Sequence, residues 1–215
     1  MPQFFHLEGF SHLLYSFMIF GVIASSISGA IRAIEAKMDI TGAVLLAFIA
    51  ACSGGTVRDL VLGSEIFWIK DQFYIWITLP IGAITYIWVY YKQEILSSKK
   101  LNAVLIITDA MGLAAFSLAG VEKSIHFGQN STVAILMGVW SAIGGGIIAD
   151  VISNRIPLVF SQELYISVSL IGSICYLVLS GHISGLVASM ISAIIMILLR
   201  LYSVKFNWRL PIIYK

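Results

Sequence analysis

The chain matches itself at a constant offset of 91 residues, and that duplication limits its possible folds more than any other feature. Gly21, Ala24, Ser26 and Gly29 recur as Gly112, Ala115, Ser117 and Gly120. Thr41 and Ala43 recur as Thr132 and Ala134, and Tyr74-Ile75 as Tyr165-Ile166. Gly54, Gly55 and Asp59 recur as Gly145, Gly146 and Asp150, without a gap anywhere. Isolated identities are cheap in an apolar chain. Gly-Gly-x-x-x-Asp in both copies, in register with the rest, is a repeat signature.

The repeated unit is built for a bilayer. Charged residues are 11% of the chain and apolar ones 59%, against about a quarter charged in a soluble domain. No Asp, Glu, Lys or Arg interrupts Gly9–Ile31, Ile40–Val57, Gln72–Tyr91 or Phe127–Ala149, and Leu101–Val121 carries only Asp109. A spanning helix needs about 20 mostly apolar residues. Leu164–Leu199 is too long for one crossing, and Ser180-Gly181-His182 supplies a turn within it. These segments lack the polar face of a soluble helix. The reading is an all-α integral membrane protein with seven transmembrane helices and a single transmembrane domain over 1–215. Repeat one covers about 10–91, repeat two about 101–180, and the extra helix about 183–200. Three helices per repeat is an odd number, so the second copy enters from the opposite side and the repeats are inverted.

Lys and Arg set the orientation. Arg32, Lys37, Lys92, Lys99, Lys100, Arg155, Arg200, Lys205, Arg209 and Lys215 collect on one side, Lys70 and Lys123 on the other. The positive-inside rule puts the N-terminus outside and the C-terminus in the cytoplasm of a plasma (inner) membrane. His6, His12, His126 and His182 then fall at the outer face as interfacial residues. Trp68, Trp76, Trp88, Tyr90 and Tyr91 read as interfacial anchors. Glu65, Asp71, Glu122 and Glu163 sit near helix ends and read as solvated or interfacial. The first helix has no basic segment before it, so it is kept as a helix rather than a signal peptide. Cys52 and Cys175 lie at membrane depth and read as buried fillers.

The chemistry lies in helices two and five, at Cys52-Ser53-Gly54-Gly55-Thr56-Val57-Arg58-Asp59 and Gly144-Gly145-Gly146-Ile147-Ile148-Ala149-Asp150. Each glycine disfavours helix by about 1 kcal/mol relative to alanine. Duplicated glycine runs in inverted halves predict broken helices 2 and 5, whose half-helix ends face an ion or solute. The alternative for the same glycines is close helix packing. Asp59 and Asp150 either cap the restarted helices or face a cavity or partner, as intramembrane acids usually do. Arg58 is a pairing or gating residue, for its own neighbourhood or for Asp150. Adjacent side chains point apart, which favours the cross-repeat pair. Asp109, whose repeat position is Met18, is either a structural acceptor or a pathway carboxylate. Pro80 is expected to kink the third helix.

With these twin motifs, and Asn154-Arg155-Ile156-Pro157-Leu158 after the second, the chain resembles the prokaryotic trimeric intracellular cation (TRIC) channel family over nearly its whole length. The resemblance implies homotrimers in which each subunit carries a pore for monovalent cations, chiefly potassium, where the second and fifth helices meet. It makes Gly54, Gly55, Gly144, Gly145 and Gly146 hinge glycines, with Ser53 beginning the first motif in place of a third glycine. Arg58, Asp59 and Asp150 become the motif charges. Ala149 stands where the second motif commonly has Arg, so the two halves differ electrostatically. The Lys-containing motif of lipid-regulated animal members is absent.

No catalytic triad, Cys/His metal spacing or phosphate loop with lysine occurs, so the reading is not an enzyme and calls for no cofactor. Potassium or sodium is the permeant species, and the partners are the bilayer and further copies of the chain. The alternative function is a secondary transporter of a small solute such as glycine, using the same inverted halves.

Overall fold

The computed structural model describes the backbone of residues 7–92, 99–161 and 164–208, with side chains there except at 7–14, 99–101, 158 and 161. His6, Glu163, Arg209 and Lys215, and the side chains of His12, Lys99 and Lys100, lie outside the described residues. The fold is all-α. Its long helices are α1 (Leu7–Glu35), α2 (Ile40–Val61), α4 (Phe73–Tyr91), α5 (Lys99–His126), α6 (Ser131–Ile152), α8 (Tyr165–Ser180) and α9 (Gly185–Phe206). Two single turns, α3 (Phe67–Lys70) and α7 (Leu158–Ser161), follow α2 and α6. Among the described residues six helices are long and apolar enough to cross a membrane, and α8 is a shorter apolar helix.

The 91-residue period reaches down to single caps and turns. Helices α2 and α6 have equivalent bounds, as do α3 and α7. Asp39 accepts from the Gly42 N–H at 2.7 Å to start α2, and Asn130 accepts from the Val133 N–H at 2.9 Å to start α6. Such side-chain acceptors satisfy donors that the first helical turn leaves open. The turn before each helix holds a left-handed residue, Lys37 (φ 61°) and Gly128 (φ 73°). The turn after each holds another, Gly63 (φ 63°) and Asn154 (φ 54°). Gly and Asn are the residues that enter this region at least cost.

Packing repeats as well. Helix α1 lies on α2 and α4 as α5 lies on α6 and α8. The two units meet through α1 on α5 and α2 on α6, and α9 closes the bundle against α8 and α5. Helix α5 is the most enclosed span and α4 the least. Trp76, Trp88, Tyr90 and Tyr91 on α4 are exposed, whereas the Trp68 indole donates to the Thr56 hydroxyl at 2.8 Å and is tied down.

The expected breaks in helices 2 and 5 are corrected by the structure. Both α2 and α6 run as continuous α-helix through Ser53, Gly54, Gly55 and through Gly144, Gly145, Gly146. Close crossing explains the glycines. A Cβ on Gly54 would stand 2.6 Å from the Ser141 carbonyl oxygen, and one on Gly145 would run into the Ala50 carbonyl. Without a side chain at either position the two backbones touch, and dispersion contacts offset the intrinsic helix penalty. A Cβ on Gly29 would meet Ala50 and Leu46 of α2, and one on Gly120 would meet Met137 and Gly138 of α6, so each repeat is also close-packed internally. Helix α4 remains helical through Pro80.

Candidate functional site: two ion-pair clusters around the α2–α6 crossing

Because α2 and α6 are continuous, Asp59 and Asp150 occupy their last turns rather than the first turn of a restarted helix. A carboxylate there faces the negative end of the helix dipole and needs cations. Both acids are buried, and each draws a cation from the other repeat. Lys123 on α5 reaches Asp59 Oδ1 at 2.7 Å, and Arg32 on α1 reaches Asp150 Oδ1 at 3.5 Å. Arg32 and Lys123 are themselves 91 residues apart. The pairs therefore form a reciprocal exchange between the repeats.

Around this shared plan the two clusters differ in which charges they add. At Asp59, Arg58 adds a second cation, with Nε and Nη2 both 2.7 Å from Oδ1. The other carboxylate oxygen accepts the Phe67 N–H at 2.9 Å and caps α3. Asp59 thus has two cations, and the cluster sums to one positive charge. Arg58 is fully buried, donates from Nη1 to the Ser141 hydroxyl at 3.3 Å and lies 5.9 Å from the Phe67 ring centroid. At Asp150, Arg32 is shared with Asp109, whose Oδ1 accepts from Nη2 at 2.8 Å. Asp109 and Asp150 both reach this arginine.

These contacts decide between the two partners open to Arg58. Arg58 pairs with neighbouring Asp59, not with Asp150 across the repeats, because its long side chain folds back onto the next residue's carboxylate. Arg32, one of the basic residues collected on one side of the membrane, is buried inside α1, which extends to Glu35. Two further charged residues lie inside the protein. Glu122 is buried rather than interfacial, accepting from the Ser189 hydroxyl of α9 at 3.0 Å. Arg200 is buried over the Tyr165 ring, 4.5 Å from its centroid. The period itself held the missing signal, since it sets Lys123 opposite Arg32 as it sets Asp150 opposite Asp59.

Between the clusters lies a cavity of about 20 Å³, lined by Ser25, Ser28, Gly54, Ser141 and Gly145, with Arg32 and Asp109 at one end. That is room for about one water. On the far side of Arg32 and Asp109 opens a vestibule of about 320 Å³, lined also by Glu35, Asp150, Arg155 and Arg200. Arg155 reaches Glu35 at 2.7 Å across its rim. Ser53 and Thr56 return their hydroxyls to their own helix, on Ile49 and Cys52 carbonyls, and add no charge to the path. The structure thus gathers Gly54, Gly145, Gly146 and Asp109 around the cavity, with Asp150 at the vestibule. Arg58 and Asp59 are joined to it through Ser141.

Comparison with known proteins follows the same outline. A family model described as "Glycine transporter" matches residues 15–90 and again 106–181, two segments offset by the internal period. A UPF0126 membrane protein of Vibrio cholerae is 35% identical over 201 residues, 93% of this chain and 82% of its own. The UPF0126 inner membrane protein YadS of Escherichia coli is 31% identical, covering 93% of this chain and 95% of its own. The TRIC trimeric intracellular cation channel orthologue of Rhodobacter sphaeroides superposes with a TM-score of 0.83 at 28% identity, over 90% of this chain and 97% of that one. A prokaryotic TRIC channel solved in 0.5 M KCl gives a TM-score of 0.82 at 28% identity, over 93% and 100%. A Caenorhabditis channel with bound calcium, at 13% identity and a TM-score of 0.60, shares the fold. The chain belongs to the UPF0126 membrane proteins and to the family whose model is described as "Glycine transporter", and it has the fold of the prokaryotic TRIC channels.

Proposed function

We infer that this protein is a potassium-permeable monovalent cation channel with a pathway inside each subunit, along α1, α2, α5 and α6. The observation that carries the reading is the TM-score of 0.83 to a trimeric intracellular cation channel over 90% of the chain. The interior chemistry supports it. Hydroxyls of Ser25, Ser28 and Ser141 and the Asp109 carboxylate line the central cavity, and oxygen is the ligand type that hard monovalent cations take. On this reading the conformation described is the closed one, since the central cavity has room for only about one water.

The same reading makes the protein a homotrimer of the inner membrane, with inverted repeats, the N-terminus outside and the C-terminus in the cytoplasm. Arg58 and Asp59 close the outer end through Ser141, and Asp109 and Asp150 draw cations from the cytoplasmic vestibule. No cofactor takes part. Gly54 and Gly145 set the distance between α2 and α6, and with it the width of the path.

A second reading, a carrier of glycine, is favoured by the description of the matching family model. The vestibule offers both charge signs to a zwitterion, Asp109 and Asp150 for the ammonium and Arg155 and Arg200 for the carboxylate. Purified protein in liposomes separates the two. A potassium gradient should drive rapid cation flux that empties each active vesicle, without glycine accumulation. Saturable glycine uptake with no potassium leak would replace the channel with the carrier.

A further inference from the structure

Gly55 and Gly146 stand one period apart but have different neighbours. A Cβ on Gly146 would stand 3.2 Å from Arg32 Nη1. One on Gly55 would meet the Phe67 ring, at 2.7 Å from Cε1 and 3.2 Å from Cδ1. The ring therefore rests on bare backbone of α2, and a larger residue at position 55 would lift it. Phe67 is buried although it belongs to α3, a single turn in the connection between α2 and α4. Tyr74 packs edge-to-face on it with centroids 4.9 Å apart, and Tyr15 packs likewise on Tyr74 at 5.9 Å. Three hydrogen bonds pin the connection to its surroundings: the Phe67 N–H on Asp59, the Trp68 indole on Thr56, and the Tyr15 hydroxyl on Asp71 at 3.0 Å. The connection leaves α2 through Gly63, which is left-handed and has open space where a Cβ would be.

We propose that α3 is a lid and that Phe67 is the gating residue at the end of the pathway opposite the vestibule. The proposal rests on the cation-channel reading and names the gate at that end. In series from the central cavity stand the Ser141 hydroxyl, the Arg58–Asp59 pair and then the Phe67 ring. Both charges of that pair are fully buried, whereas Glu35 and Arg155 at the vestibule rim are partly exposed. When the lid pivots at Gly63, the ring leaves Gly55, Asp59 gives up one N–H, and water reaches Arg58. Hydration of the two charges then offsets the contacts that the ring loses. The path opens beside Gly55 without any separation of α2 from α6.

The second repeat sharpens the case. Leu158 stands one period after Phe67, so no aromatic ring occupies that place in repeat two. There the vestibule already reaches Arg32 and Asp150. The aromatic gate belongs to the α3 end alone.

Cysteine accessibility tests the lid without presuming transport. In a Cys52→Ala/Cys175→Ala background, Ser28→Cys places a thiol in the central cavity. An impermeant cationic methanethiosulfonate is added to one face of the vesicles at a time. The exposed Glu65→Cys, in a parallel sample, marks the α3 face. Labelling of the parent from that face should be slow. Phe67→Ala should speed it by on the order of tenfold, because a buried ring supplies much of what holds such a segment down. Labelling from the vestibule face should not change. Phe67→Leu, which keeps an apolar cover, should stay near the parent rate. Trp68→Phe removes the indole tie to Thr56 and serves if Phe67→Ala fails to fold; a smaller acceleration is expected. Unchanged labelling from the α3 face in both variants, or equal acceleration from both faces, overturns the lid. Acceleration from the α3 face with no cation current in the parent or in Phe67→Ala would leave the lid and remove the channel.

Discussion

Gly54 and Gly144 sit at the same helix crossing, yet alanine should have very different effects at the two positions. At Gly54 the new Cβ would stand 2.6 Å from the Ser141 carbonyl oxygen and 3.0 Å from the Gly145 nitrogen. Both are backbone atoms and cannot rotate aside. Reaching ordinary contact at 3.4 Å requires about 0.8 Å of separation between α2 and α6. Overpacking of this kind costs about 1–3 kcal/mol, while the intrinsic helical gain of alanine over glycine returns about 1 kcal/mol. At Gly144 the nearest atoms are the Gly54 Cα at 3.2 Å and the Trp140 Nε1 at 3.3 Å, a misfit of a few tenths of an ångström. The propensity gain then offsets most of the strain. Gly54→Ala should therefore be the less stable, by up to about 2 kcal/mol. For a chain of this length that is up to roughly 8 °C in thermal midpoint. Differential scanning fluorimetry of both variants in one detergent, checked for equal size on gel filtration, reads the difference. Equal midpoints, or a lower one for Gly144→Ala, would refute the crossing as the reason for the glycines.

Other substitutions probe the remaining parts of the account. Asp59→Asn leaves Arg58 and Lys123 uncompensated around a buried site, and breaking such a pair costs about 3–5 kcal/mol, so a sharp loss of folded protein on gel filtration is expected. Lys123→Gln should cost much less by the same measure, since its side chain is 18% exposed and Arg58 still holds the acid. Glu122→Ala removes the carboxylate that accepts from the Ser189 hydroxyl between α5 and α9 and should cost about 1–3 kcal/mol; Glu122→Gln, which keeps an acceptor, should recover most of it in the same thermal assay. Cysteines at the exposed equivalents Glu65 and Ile156 should react with an impermeant maleimide from opposite faces of the membrane, as inverted repeats require. Labelling from one face at both positions would mean parallel repeats.

Much of this architecture can be read from the residues. The period places equivalent helices within the same bounds, and Asp39 and Asn130 mark two helix starts by their caps. Helix interiors were harder. Three consecutive glycines look locally like a break, and the compensation for them comes from Ala50 and Gly54 on the opposite helix, which local propensity does not register. Charge position misleads in a similar way. Arg32 follows a long apolar run and looks like a loop anchor, but α1 continues past it and α5 and α6 cover it. Glu122 looks interfacial until α9 returns beside it with Ser189. The site is therefore legible as a set of motifs, while its ion pairs depend on which helices cross. The duplication covers basic residues as well as glycines, since Arg32 and Lys123 stand one period apart.

Cation selectivity is the central claim, and a single-channel recording in asymmetric potassium chloride tests it most directly. Purified protein in a planar bilayer should show discrete openings whose current reverses near the potassium equilibrium potential. Asp109→Asn should weaken that selectivity, because it removes one of the two acids that draw cations from the vestibule. Reversal near the chloride potential, or a silent membrane alongside saturable glycine uptake by the same preparation, would contradict the account.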